Sequence, residues 1–134
     1  MEEPTANLIS KTVLILEDDF LSVMLLEKSL QEAGYKTIHF ANTDGALKWI
    51  EENTPDILLT DWSLAGVASA ADVARALRTK NPGARVIFIT GYNQEDIADK
   101  LTNLEPFDFF IKPFDFERIA QMLSLSITAK IQQD

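Results

Sequence analysis

Short apolar runs alternate with stretches of helical spacing from residue 12 to the end of the chain. The runs are Val13-Leu14-Ile15-Leu16, Ile57-Leu58-Leu59, Val86-Ile87-Phe88-Ile89 and Phe109-Phe110-Ile111. Unbroken runs rich in β-branched and aromatic residues predict strands buried on both faces of a sheet. Thr37-Ile38-His39-Phe40 alternates polar with apolar instead, which predicts a more exposed edge strand.

The intervening segments carry apolar stripes. Val23, Leu26, Leu30 and Ala33 predict a first helix with Gly34 as its stop. Thr43 is placed to cap a second, built on Ala46, Leu47 and Ile50. Val73, Ala74 and Leu77 predict a third; Ile97, Leu101 and Leu104 a fourth, with Asn93 as cap. Asp115 is placed to cap a fifth through Ile119 and Leu123, fraying near Ala129. Five strands alternating with five helices predict one α/β domain, a parallel sheet doubly wound with right-handed crossovers. No internal repeat or linker interrupts it, so residues 1–10 read as a loose lead, 11–130 as the domain and 131–134 as a tail.

Composition narrows the function. Hydrophobic residues make up 46% of the 134, enough for a core without a metal or disulfide staple. The absence of cysteine excludes a disulfide framework, a thiolate metal site and a cysteine nucleophile. A net charge of −9 without a basic cluster argues against nucleic acid as a partner. Met1 to Ser10 lacks the apolar core of a signal peptide, and no apolar run reaches the ~20 residues of a membrane span. The expectation is a cytoplasmic protein with no membrane partner. His39, without a second ligand near it, is assigned no role.

In an open parallel sheet, ligands bind at the carboxyl ends of the strands. Glu17-Asp18-Asp19 follows the first run, Asp61 the third, Thr90 the fourth, and Lys112-Pro113 the fifth. Alone, Asp19 reads as a helix cap, Asp61 as the opening of a turn, Thr90 as an end-of-strand threonine and Lys112 as a surface lysine. Their conjunction on one rim is what those readings leave without a reason. Glu17, Asp18 and Asp61 would bring three carboxylates together, a repulsion that a hard divalent cation relieves. All-oxygen ligands point to Mg²⁺ rather than zinc. A carboxylate can also accept a phosphoryl group covalently, and the three phosphoryl oxygens then need stabilisation. The cation, the Lys112 ammonium and the Thr90 hydroxyl would serve one oxygen each.

These segments resemble the response-regulator receiver domain of two-component signalling. The resemblance rests on Val13-Leu14-Ile15-Leu16-Glu17-Asp18-Asp19, Pro55-Asp56-Ile57-Leu58-Leu59-Thr60-Asp61, Val86-Ile87-Phe88-Ile89-Thr90-Gly91 and Phe109-Phe110-Ile111-Lys112-Pro113-Phe114, and covers nearly the whole chain. It implies a flavodoxin-like strand order of 2-1-3-4-5. It also implies Asp61 as phosphoacceptor, and Mg²⁺ held by Glu17, Asp18, Asp61 and the Ser63 backbone carbonyl. Thr90 and Lys112 would assist transfer, and Thr90 and Phe109 would form the switch. The partners implied are a histidine kinase or histidine phosphotransfer protein upstream, and a protein read through the fourth helix, fifth strand and fifth helix downstream. A homodimer is left open.

The chain departs from the usual pattern at Leu64-Ala65-Gly66, where a proline commonly precedes the glycine, at Gly91, and at Glu105-Pro106. Phe88-Ile89-Thr90-Gly91-Tyr92 is similar to the motif of the FATGUY subgroup of single-domain receivers. By this resemblance, the water that hydrolyses an aspartyl phosphate would pass Ser63 and Tyr92, so the expectation for Tyr92 is either a partial lid that slows dephosphorylation or a side chain turned to solvent or the partner surface. With no output module after the last helix, the expectation is a stand-alone switch; the alternatives are a piece of a hybrid histidine kinase and an unphosphorylated pseudo-receiver. A haloacid-dehalogenase-type enzyme would need a second aspartate where Ser63 stands, and a nucleotide-binding enzyme a glycine-rich loop after the first strand. Apart from its own phosphorylation and dephosphorylation, no enzymatic activity is expected.

Overall fold

The computed structural model describes residues 11–63, 66, 68–90, 104, 106–111, 118, 119, 121 and 123. In chain order they form β1 (Thr12–Leu16), α1 (Phe20–Glu32), β2 (Lys36–Phe40), α2 (Thr43–Ile50), β3 (Ile57–Asp61), α3 (Ala70–Lys80), β4 (Arg85–Thr90) and β5 (Asp108–Ile111). Arg118, Ile119, Gln121 and Leu123 are also helical. The strands make one sheet in the order β2-β1-β3-β4-β5, every pair parallel. This is the doubly wound, flavodoxin-like α/β order expected. The caps Asn93 and Asp115 and the fourth helix up to Leu101 lie outside the described residues, and Leu104, read as part of that helix, is buried in the core but not helical.

Because strand side chains alternate between faces, each apolar run divides between two core layers. Leu14, Leu16, Leu58, Val86 and Phe88 meet Ala46 and Ile50 of α2 and Val73, Ala74 and Leu77 of α3. Val13, Ile15, Ile57, Leu59, Ile87 and Ile89 meet Leu26 and Leu30 of α1, with Ile119 and Leu123. Burying both faces of β1, β3 and β4 is what makes their sequences continuous rather than alternating.

Four details differ from the sequence reading. β5 is an edge strand, with Phe109 and Phe110 half-buried and Ile111 49% exposed, so its apolar run does not mark burial on both faces. On β2, Thr37 through Phe40 are all partly buried rather than alternately exposed. The cap of α2 is Asn42, whose side chain accepts from the Gly45 N–H at 2.9 Å, while Thr43 is the first helical residue and fully buried. Ala33 is the exposed C-cap of α1, not part of its stripe, and Gly34 follows at a φ of 102°, a backbone angle glycine adopts without strain.

The amino ends of the strands are tied off. Asp56 accepts from the Thr12 N–H through Oδ2 at 2.9 Å, and its carbonyl accepts from the Arg85 N–H at 3.1 Å. The Arg78 guanidinium donates to the carbonyls of Ala84, Leu104 and Pro106 at 2.6–2.7 Å. Burial lowers its pKa below the ordinary guanidinium value. Arg85 pairs with Asp108 at 2.9 Å. A cavity of about 420 Å³ opens here, but Asp56, Arg78, Arg85 and Asp108 in its lining are the groups already engaged in these ties. The carboxyl ends hold the more reactive chemistry. No helix among the described residues is long and apolar enough to cross a membrane.

Candidate functional site

β1 delivers the acidic triplet to the rim of the sheet, and the three residues then part ways. Asp19 caps α1: its carboxylate accepts from the Ser22 N–H at 3.1 Å and from the Ser22 hydroxyl at 2.5 Å. Glu17 is 2% exposed, and its Oε2 accepts from the backbone N–H of Asp18 and of Asp19, each at 3.1 Å. Those bonds curl the loop around the carboxylate and leave Asp18 at the surface.

Asp61 is the last residue of β3 and 8% exposed. Its Oδ1 accepts from the Ser63 N–H at 3.2 Å, and the Trp62 N–H continues the ladder to the Ile89 carbonyl at 2.8 Å. One carboxylate oxygen from each of Glu17, Asp18 and Asp61 lies within 4.8 Å of the others. Among the described residues this is the one group of acids and histidines close enough to share a metal ion. Three hard oxygen donors, one at the surface and two buried, fit a divalent cation such as Mg²⁺, which prefers carboxylates and retains waters.

Thr90 closes β4, the strand beside β3, one register step beyond the Asp61–Ile89 pair, and is 1% exposed. It pairs in turn with Ile111, the residue before Lys112. Lys112 and Tyr92 lie outside the described residues. Phe109 pairs with Phe88 across β4 and β5, their ring centroids 5.8 Å apart, and Phe107 stands edge-on to both at 5.3–5.7 Å. Trp62 packs edge-on against Phe88 at 5.5 Å, so one aromatic cluster runs from beside Asp61 to β5.

Two contacts have no signature in the sequence. His39 Nε2 lies 2.8 Å from the Glu17 carbonyl, giving a histidine without an assigned role a place behind the acidic loop. The Thr43 hydroxyl donates to the Ala68 carbonyl at 2.7 Å, joining the start of α2 to the segment after Asp61.

The profile of the response regulator receiver domain matches residues 13–124. The chain belongs to this family. Receiver domains act in two-component signalling, taking their signal from histidine kinases or phosphotransfer proteins. Among its relatives, the receiver is 27% identical over 112 residues to sporulation initiation phosphotransferase F of Bacillus subtilis, covering 84% of this chain and 90% of that one. It is 32% identical over 117 residues to a cyclic di-GMP phosphodiesterase of Thermotoga maritima, covering 87% of this chain but 30% of that one. Against the DNA-binding transcriptional regulator NtrC of Salmonella typhimurium the figures are 28% identity, 87% and 24%. The chain therefore spans most of the first relative and about a quarter to a third of the other two. A receiver protein from Sinorhizobium medicae shares the fold with a TM-score of 0.79 at 20% identity, covering 91% of this chain and 98% of that one. Chemotaxis response regulator CheY4 of Vibrio cholerae gives 0.75 at 19%, covering 86% and 97%.

Proposed function

We propose that this receiver is a phosphoacceptor switch in which the Asp61 carboxylate takes a phosphoryl group from a phosphohistidine donor. The observation that carries the reading is the approach of Glu17, Asp18 and Asp61 within 4.8 Å at the carboxyl ends of adjacent strands. In the reaction an Asp61 oxygen attacks phosphorus, the phosphorus–nitrogen bond to the donor imidazole breaks, and an aspartyl phosphate forms. Glu17, Asp18, Asp61 and the Ser63 backbone carbonyl would hold Mg²⁺, which when bound supplies positive charge to offset that of the phosphoryl oxygens. The Ser63 N–H bond to Asp61 keeps that backbone beside the carboxylates.

Thr90 contributes a buried hydroxyl next to Asp61 on the neighbouring strand, suited to hydrogen-bond a second phosphoryl oxygen. Lys112 would pair with the third. The donor is a histidine kinase or a histidine phosphotransfer protein, and residues 11–130 make up the functional unit. The similarity to sporulation initiation phosphotransferase F, spanned over 90% of its length, favours a role in a relay. The reader of the phosphorylated state is a protein that docks on β5 and the helices beside it.

Incubation with acetyl phosphate and Mg²⁺ followed by intact mass tests the reading. One phosphoryl adduct is expected on the parent and none on Asp61→Asn. An adduct that persists in Asp61→Asn, or a parent that takes none, would overturn it.

A further inference from the structure

Gly66 lies in the loop between Asp61 and α3, pressed against the first residue of α2. A Cβ on Gly66 would overlap the Thr43 hydroxyl and stand 3.2 Å from both Thr43 Cβ and Thr43 N. Gly66 also has a φ of 137°, which side-chain-bearing residues rarely adopt. Two positions later the same loop is caught again, by the Thr43 hydroxyl donating to the Ala68 carbonyl at 2.7 Å. One side chain thus holds the loop by close contact at Gly66 and by hydrogen bond at Ala68.

Thr43 is well placed to act as a fixed point. It is fully buried, and α2 is anchored in the core by Ala46 and Ile50. Asn42 already caps that helix through the Gly45 N–H, so the Thr43 hydroxyl is not needed for capping. A β-branched side chain in a helix has few χ1 choices, so the helix carries the hydroxyl rigidly. At the other end the loop starts from Asp61, whose Oδ1 accepts from Ser63 N–H, and from Trp62, held by the Ile89 carbonyl. Ser63 therefore lies between two anchors, the sheet and α2.

We propose that Thr43 is a positioning residue for the site, setting the loop after Asp61 so that the Ser63 carbonyl meets a cation held by Glu17, Asp18 and Asp61. This rests on the reading of the site given under Proposed function. Residues that orient a metal's direct ligands often matter roughly tenfold or more for its affinity, and that is the order expected here. A hydroxyl serving only the burial of α2 would change the melting temperature and leave cation affinity as it was.

The test compares the parent with Thr43→Val, Thr43→Ser and Gly66→Ala, each held well below its melting temperature. Mg²⁺ is titrated against Trp62 fluorescence and against the rise in melting temperature, and adduct formation with acetyl phosphate is followed by intact mass. Thr43→Val is expected to weaken Mg²⁺ binding about tenfold and to slow adduct formation at limiting Mg²⁺. Thr43→Ser, which retains the hydroxyl, is expected to return both close to the parent. Parent-like affinity in Thr43→Val would overturn the proposal even if the melting temperature falls. Should Thr43→Val not fold, Gly66→Ala displaces the loop from its own side: weakened Mg²⁺ binding supports the proposal and unchanged binding overturns it. A parent that neither binds Mg²⁺ nor takes a phosphoryl group overturns the reading of the site and this inference with it, a result visible before any variant is made.

Discussion

The imidazole Nε2 of His39 lies 2.8 Å from the carbonyl oxygen of Glu17, and a carbonyl can only accept, so that nitrogen carries the proton. The backbone reinforces the contact, because the Glu17 N–H donates to the Phe40 carbonyl at 3.3 Å. The edge strand β2 therefore grips the acidic loop from behind, through one side chain and one main-chain bond.

Replacing His39 with leucine should loosen that loop without touching a carboxylate. Loss of the donor to a part-buried carbonyl is expected to lower stability by about 1–2 kcal/mol in urea denaturation. Mg²⁺ affinity, read by tryptophan fluorescence, should fall by roughly threefold or more as the Glu17 loop loses its brace. Unchanged affinity in a folded His39→Leu protein would show that β2 does not influence the site.

The convergence of Glu17, Asp18 and Asp61 within 4.8 Å carries a cost in the absence of a cation. Asp18 is exposed, so water screens much of the repulsion, and neutralising it should relieve on the order of 1 kcal/mol. In EDTA, Asp18→Asn is expected to melt slightly above the parent. In excess Mg²⁺ the order should reverse, because the parent gains the binding energy, about 1.4 kcal/mol at ten times its dissociation constant, and the variant gains little. Identical Mg²⁺-dependent shifts in parent and variant would remove Asp18 from the metal site.

Much of this arrangement was legible in the chain because parallel strands buried on both faces have distinctive sequences. β1, β3 and β4 read as continuous apolar runs, and the rim residues follow them directly. β5 read the same way, yet it is the edge, with Ile111 49% exposed; an apolar strand can serve a surface as readily as a core. Local capping was harder. Thr43 looked like the cap of α2, but Asn42 takes that place with φ −143° and ψ 164°, and what Thr43 does depends on Ala68, distant in sequence. The acidic triplet gave a clear chemical signal and its division of labour, with Asp19 as the cap and Glu17 and Asp18 in the cluster; what it did not give is the pair of backbone N–H bonds that curl the loop around the Glu17 carboxylate. His39 had no signal, because its partner is a backbone carbonyl.

α3 begins with a reciprocal cap in which Ser69 Oγ accepts from the Asp72 N–H at 3.1 Å and Asp72 Oδ2 accepts from the Ser69 N–H at 2.9 Å. The Ser69 backbone bond is the main cause holding the Asp72 carboxyl below its ordinary value of 3.8, with smaller help from the Ser69 side chain and Arg75. A depressed folded-state pKa gives stability that is fully present above pH 3.8 and fades as the pH falls below it through the folded value. The group is exposed, so the effect should be small, about 0.5 kcal/mol. Asp72→Ala is expected to be less stable than the parent at pH 7 by about that amount and to lose less on acidification below pH 4, as followed by urea denaturation. A constant gap between the two proteins down to pH 2 would mean that the carboxylate does not contribute through its charge.

The last prediction concerns how the state of the site reaches the edge of the sheet. Phe88 pairs with Phe109 across β4 and β5, and Thr90 lies two residues beyond Phe88 on the same strand. A shift of Thr90 toward a phosphoryl group on Asp61 would therefore bear on the packing that holds Phe109, and two discrete packings of that ring would give the edge two states. Phe109 is half-buried, so Phe109→Ala should cost about 1–2 kcal/mol, less than truncation of a fully buried ring. Asp61 should still accept a phosphoryl group at a rate close to the parent's, because Phe109 belongs to β5 and not to the acidic cluster. Amide exchange before and after treatment with acetyl phosphate and Mg²⁺ separates the two effects. In the parent, protection should change at the site and along β5; in Phe109→Ala it should change at the site alone. The same β5 response in both proteins would show that the signal reaches the edge strand by a route that does not use this ring.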